Sequence, residues 1–153
     1  MQLDTQILIN SKPEKVRDVI LDFQKYSEWN PFFTSFKIYT SGATSPLPGT
    51  QLEIKMKLFG GNENTMYPIV LENSESALRW KGKLLFDFMF VGIHSFEFFP
   101  LEIDGQTKTK LIQSEEFSGF FSYIFEWTGL LVKTKNRFEE LNQALKAQIE
   151  QDH

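Results

Sequence analysis

Cysteine is absent from this 153-residue sequence, and histidine occurs only twice, as His94 and His153. Without cysteine the chain forms no disulfide, holds no thiolate-ligated zinc and has no cysteine nucleophile. A single internal histidine leaves too few ligands for a typical zinc site. We therefore expect no metal and no cofactor. The lack of disulfides fits a reducing compartment, and the expected location is the cytoplasm.

Long apolar runs and an excess of positive charge are also missing. The chain has 16 Lys and Arg against 20 Asp and Glu, a net charge of −4, so we expect no nucleic-acid partner. The most apolar stretch, residues 117–132, is interrupted by Glu126, which argues against a transmembrane segment. Met1–Asp4 lacks the layout of a secretory signal. Transient membrane contact and the oligomeric state stay open.

Phenylalanine, in contrast, is abundant. Of the 16 Phe residues, ten fall between Phe86 and Phe125. The phenyl ring is large and offers no hydrogen bond, so such a cluster indicates either an unusually apolar core or an apolar cavity. The sequence does not separate these two interpretations.

Alternating apolar and polar residues predict seven strands, and Gly60-Gly61-Asn62 and Asp104-Gly105 are typical hairpin turns. The predicted strands cover Leu3–Asn10, Thr34–Thr40, Leu52–Phe59, Thr65–Glu72, Leu78–Leu84, Val91–Pro100 and Thr107–Phe117.

Two short helices and one long helix complete the prediction. Ser11 is the predicted N-cap of the first helix, which ends near Leu21. The second spans Gln24–Trp29 and stops before Pro31. An uninterrupted helical period runs from about residue 121 to 151, with Gly129 as a weak point. Only this last helix is long enough to cover the sheet, so we expect one α+β domain over residues 1–153, with a curved antiparallel sheet around it.

One polar group stands out among the predicted inward-facing side chains. His94 shares a strand face with Phe96 and Phe98, while Gln113 and Glu115 share a face with Phe117. If the two strands are neighbours, His94, Gln113 and Glu115 lie within hydrogen-bonding reach. A histidine beside a carboxylate is a candidate acid–base pair, although a structural or ligand-orienting role is the more frequent one. A bulge at Glu115-Glu116 would turn Glu115 outward.

Other aromatic residues are candidates for the lining of a cavity. Trp29 and Phe32 flank the Asn30-Pro31 turn, and they either plug one end of the core or line a cavity mouth. Trp80 and Tyr67 are predicted to point inward, and the Tyr67 hydroxyl then needs a polar partner.

The sequence resembles the SRPBCC superfamily, which includes START-like, birch-pollen-allergen-like and polyketide cyclase-like proteins. The resemblance covers nearly the whole chain and is strongest for the small stand-alone, polyketide cyclase-like branch. The matching segments are residues 9–16, 21–32, 48–50, 78–82, 92–96, 113–119 and 142–146.

This resemblance implies a helix-grip fold with a deep hydrophobic cavity for lipids, sterols, polyketides, hormones or quinones. It implies cavity positions at Trp29, Trp80, His94, Phe96, Glu115 and Phe117. The iron–sulfur and iron ligands of the ring-hydroxylating branch are missing, so that branch is rejected.

Three functions follow as hypotheses. The leading one is binding or carriage of a small hydrophobic ligand rather than catalysis. The second is a cyclase, aromatase or dehydratase in which His94 and Glu115 act as acid and base. The third is an interaction or membrane-surface protein with an aromatic patch within residues 117–132. The expected ligand-binding residues are Trp29, Phe32, Tyr67, Trp80, His94, Phe96, Phe98, Gln113, Glu115, Phe117 and Phe125.

Overall fold

The computed structural model describes residues 1–57, 63–83, 91–119 and 122–151, without the side chains of residues 124–126. The strands are β1 (Gln2–Ile9), β2 (Phe33–Ile38), β3 (Leu52–Lys57), β4 (Glu63–Met66), β5 (Ile69–Asn73), β6 (Ala77–Lys83), β7 (Val91–Ile103) and β8 (Gln106–Ser118). The helices are α1 (Pro13–Leu21), a 3₁₀ turn (Phe23–Lys25), α2 (Tyr26–Trp29), α3 (Ser122–Trp127) and α4 (Leu130–Gln151).

The strands form two antiparallel sheets. The larger has the order β1-β8-β7-β6-β5, and the smaller has the order β2-β3-β4. An isolated bridge between Gln51 and Ile69 connects them, as does a hydrogen bond from Leu52 N to Pro68 O. Eight described strands therefore replace the seven predicted ones. The predicted strand 65–72 is divided because Pro68 has no N–H with which to continue a ladder.

α4 lies against the larger sheet, and its most extensive strand contacts are with β1. Its buried face recurs at helical spacing and includes Phe138, Leu141, Leu145 and Ile149, which join the main core. The expected α+β helix-grip arrangement is confirmed. The predicted single helix is divided into α3 and α4, because Gly129 adopts a φ of 78°, in the left-handed region that ends helices.

The β7–β8 hairpin positions the polar side chains singled out from the sequence. Asp104 and Gly105, with φ of 52° and 77°, form its tight turn, as predicted. The two strands then pair without a register shift from Ile103 opposite Gln106 to Val91 opposite Ser118. No bulge turns Glu115 outward.

The predicted N-cap of α1 is wrong. Lys12 is the N-cap and makes no side-chain capping bond, and Pro13 is the first helical residue. Ser11 is instead tied to the sheet, because its carbonyl accepts a 2.7 Å hydrogen bond from the Thr109 hydroxyl. The predicted stop of α2 is confirmed: Asn30 follows its last residue and accepts the N–H groups of Phe32 and Phe33 at 2.9 and 2.8 Å.

Candidate functional site

The hairpin brings His94, Gln113 and Glu115 together on its inner face. His94 lies directly opposite Glu115, and Phe96 lies directly opposite Gln113. The Nδ1 atom of His94 is 2.5 Å from Oε2 of Glu115, and its Nε2 atom is 3.0 Å from Oε1 of Gln113. His94 and Gln113 are buried, and 14% of the Glu115 side chain is exposed. These are the contacts that the strand pattern predicted.

A chain of hydrogen bonds continues from Gln113 to α4 and β1. Gln113 Nε2 donates to Phe138 O at 3.2 Å and to Asn142 Oδ1 at 2.8 Å. Asn142 Nδ2 donates to Thr5 Oγ1 at 2.8 Å, and the Thr5 hydroxyl donates to Gln113 O at 2.8 Å. The described side chains contain no buried polar atom without a partner. The network therefore ties the hairpin to both neighbouring elements.

These hydrogen bonds determine which atom donates and which accepts from Phe138 O to the imidazole of His94. A backbone carbonyl can only accept, so Phe138 O requires the amide nitrogen of Gln113, which leaves Oε1 for His94. His94 Nε2 must therefore carry a proton. The remaining proton of the pair lies either on Nδ1, giving an imidazolium and a carboxylate, or on Glu115 Oε2, giving two neutral groups.

Aromatic rings enclose the imidazole. Trp80 stacks on His94 with ring centroids 4.6 Å apart and planes at 5°. Phe138, Phe96 and Phe33 lie with centroids 4.9, 5.0 and 5.8 Å away. An indole face stabilises a neighbouring cation, so the stacked Trp80 suits the imidazolium arrangement. The surroundings combine large apolar surface with one proton-bearing pair.

Glycine makes room for the carboxylate. Gly92 lies opposite Phe117, and a Cβ atom at residue 92 would overlap Oε1 of Glu115. Among the residues that the structure describes, none donates a hydrogen bond to this Oε1 atom. One oxygen of Glu115 is thus held by His94 and the other has spare accepting capacity.

The other predicted site residues fall into distinct places. Phe32 is buried, with its ring centroid 5.7 Å from that of Phe138, and Trp29 is half-buried against Tyr26, so both residues pack against the core. Phe98 and Phe117 are buried in the same core. The side chain of Phe125 and the Gly60-Gly61-Asn62 turn lie outside the described residues.

The predicted inward orientation of Tyr67 is wrong. Its side chain is 47% exposed, and its ring lies 4.9 Å from that of Tyr39, which is also exposed. Tyr67 falls in the connection between β4 and β5, where the alternation assumed for a continuous strand does not hold.

Two residues of the network were missed. Thr5 follows the inward alternation of β1 and is buried, and Asn142 lies on the buried face of α4 between Leu141 and Leu145. A polar side chain on an otherwise apolar helical stripe is the signal that could have found Asn142. The described residues contain no group of three His, Cys, Asp or Glu able to hold a metal. None of the described helices has the length and apolar character needed to span a bilayer.

The family described as polyketide cyclase/dehydrase and lipid transport matches residues 1–150. No curated protein matches the sequence. Three similar solved structures show the same fold at low identity.

A START superfamily protein from Mycobacterium smegmatis is 18% identical, with a TM-score of 0.77 and 99% of both chains covered. A protein from Thermus thermophilus is 12% identical, with a TM-score of 0.73 and 99% of both chains covered. The Zhui aromatase/cyclase from Streptomyces sp. R1128 is 13% identical, with a TM-score of 0.74, covering 98% of this chain and 93% of that one.

Proposed function

The chain belongs to the polyketide cyclase/dehydrase and lipid transport family, and from that premise we propose that it binds a small hydrophobic molecule between its sheet and α4. The observation that carries the proposal is the set of aromatic rings around His94, with the partly exposed carboxylate of Glu115 at its edge. A binding site is usually apolar and has a few polar groups that orient the ligand.

The described residues divide naturally into these two roles. Trp80, Phe96 and Phe138 supply apolar contact, while His94 and Glu115 supply the polar end. Gln113 positions His94 through the bond to Nε2 and is itself held by its bond to Asn142. We expect the ligand to be a lipid, sterol, polyketide or quinone-like molecule, and the family description, which covers polyketide cyclases and lipid transport, supports the lipid and polyketide classes.

Native mass spectrometry of the purified protein, followed by mass spectrometry of its organic extract, tests the proposal. We expect an apolar compound at close to one molecule per chain, or a stabilising apolar ligand in a thermal-shift screen if the protein is purified empty. A protein that is empty and that no apolar compound stabilises would contradict ligand binding. The matched variant Trp80→Ala removes the ring stacked on His94 and should lose the compound, whereas Trp127→Ala, on the exposed end of α3, should retain it.

A second candidate function is catalysis, favoured by the 2.5 Å contact between His94 and Glu115. The pair holds one mobile proton and could exchange it with a substrate oxygen, as a cyclase or dehydratase requires. In that case His94→Ala abolishes turnover of a polyketide or hydroxylated ring substrate and changes ligand affinity only a few-fold. Equal loss of affinity and turnover would assign His94 to binding alone.

A third candidate is contact with a membrane surface. Trp127 is 88% exposed, and Tyr123 and Val132 are also exposed around the α3–α4 junction, beside exposed Lys133. Phe117, by contrast, is buried and does not belong to this patch. Co-sedimentation with anionic vesicles should fall for Trp127→Ala. No co-sedimentation of the unaltered protein would eliminate this function.

A further inference from the structure

If the chain binds an apolar ligand as proposed above, Oε1 of Glu115 restricts which polar group that ligand can carry. Oε2 of Glu115 faces His94 Nδ1, and Oε1 lies over Gly92 without a donor from any described residue. The side chain is partly exposed rather than sealed in the core. Oε1 is therefore an acceptor that a ligand beside the rings around His94 can use.

Oε1 is an acceptor in both proton arrangements of the pair. If Nδ1 holds the proton, Oε1 is one oxygen of a carboxylate. If Oε2 holds it and donates to Nδ1, Oε1 is the carbonyl oxygen of a carboxylic acid. The direction of the chain from Phe138 O through Gln113 keeps the His94 Nε2 proton engaged, so His94 offers no second donor to a ligand.

The buried residues that the structure describes supply no unmatched positive charge for an anionic ligand. The buried polar residues among those described are Thr5, Asn30, Thr50, His94, Ser95, Thr109, Gln113, Ser114, Thr134 and Asn142. This set contains no Lys or Arg, and His94 is already matched by Glu115. A ligand carboxylate would face the lone pairs of Oε1 without a counter-ion, which is costly in an apolar site.

We propose that the site selects apolar molecules that carry a hydrogen-bond donor, an alcohol or phenol hydroxyl, and discriminates against their carboxylates and their ethers. The hydroxyl donates to Oε1 of Glu115, while the apolar body contacts Trp80 and the phenylalanines. The free fatty acid and the aromatic acid are thus the wrong ligand classes, and the sterol, fatty alcohol and phenol are the right ones.

Calorimetric titration of matched probes tests this selectivity. The first series is 2-naphthol, 2-methoxynaphthalene and 2-naphthoate, and the second is 1-dodecanol with dodecanoate. We expect the hydroxyl compound of a series to bind at least about tenfold more tightly than its ether or its acid, because an unpaired polar group is then left in the site. Equal affinity for the acid or the ether would overturn the selectivity and leave ligand binding intact. No binding of any probe would overturn both proposals.

Variants at the acceptor sharpen the test. In Glu115→Gln the amide N–H donates to the unprotonated Nδ1 of a neutral His94, which leaves the amide oxygen in the place of Oε1, so the preference for 2-naphthol over 2-methoxynaphthalene should remain. Glu115→Leu has no acceptor, so the two affinities should converge to within about twofold. Glu116→Leu is the control, because this neighbour is exposed on the opposite face. A preference that survives in Glu115→Leu would assign the hydroxyl contact to another residue.

Discussion

Replacing Gln113 by leucine perturbs the polar network at its centre with little change in side-chain volume. Gln113 is completely buried, and its two side-chain partners are His94 Nε2 on Oε1 and Asn142 Oδ1 on Nε2, which also donates to the backbone oxygen of Phe138. Leucine would leave both partners buried without a bond. Each such group costs about 1–3 kcal/mol, so the free energy of unfolding should fall by about 2–6 kcal/mol.

Urea denaturation followed by circular dichroism measures this loss. The control is Gln143→Leu, the same exchange at an exposed position of α4, which should change stability by no more than about 0.5 kcal/mol. The double variant Gln113→Leu/Asn142→Leu should lose less than the sum of the single losses, because Asn142 has already lost its partner. A Gln113→Leu protein as stable as its control would refute the network as described.

Three further substitutions test individual contacts of the described residues. Gly92→Ala should destabilise the protein and weaken ligand binding, since its Cβ would overlap Oε1 of Glu115. Gly82→Ala, at the residue opposite on β6, should be far milder in thermal unfolding, because its Cβ would overlap only the flexible end of Met66 and meet Pro68 at an ordinary contact distance. Asn30→Ala should lower the free energy of unfolding by about 1–2 kcal/mol, because it removes the acceptor of two backbone N–H groups. Asn136→Ala, at an exposed position, is the control and should not lower it. Equal midpoints of urea unfolding for the two variants would contradict this prediction. Hydrogen bonds from Ser74 and Arg79 hold the pKa of Glu72 below its ordinary value. The stability that Glu72 contributes is therefore present when the pH is above the ordinary pKa, and it is lost as the pH falls through the lowered pKa. In a plot of stability against pH, Glu72→Gln should reduce the loss of stability at acid pH, whereas Glu75→Gln should not.

The sequence predicted the elements with strong periodicity and failed where local rules compete with tertiary contacts. Alternation in β7 and β8, together with the Asp104-Gly105 turn, was enough to place His94 opposite Glu115. Tyr67 was misplaced because the interruption at Pro68 removes the alternation on which its orientation rested. Ser11 was misassigned because its carbonyl is engaged by Thr109, a residue far along the chain.

The outer part of the network could not be predicted in the same way. Asn142 donates to Thr5 across 137 positions of sequence, and no local pattern specifies which helical residue faces which strand residue. The polarity of Asn142 within an apolar stripe predicts a buried bond but not its partner. Likewise, glycine is needed at residue 92 because the Glu115 carboxylate lies over it. This proximity follows from the register of β7 and β8 and not from the local sequence.

The central claim is that a small hydrophobic molecule binds beside His94. Because the chain has two histidines, ¹H–¹³C spectra of the imidazole rings resolve His94 directly, with a His153→Ala protein to assign the other signal. On addition of 2-naphthol, we expect the His94 ring signals to shift while the indole signal of the exposed Trp127 does not. A shift at Trp127 with His94 unchanged would contradict this claim and place binding on the surface.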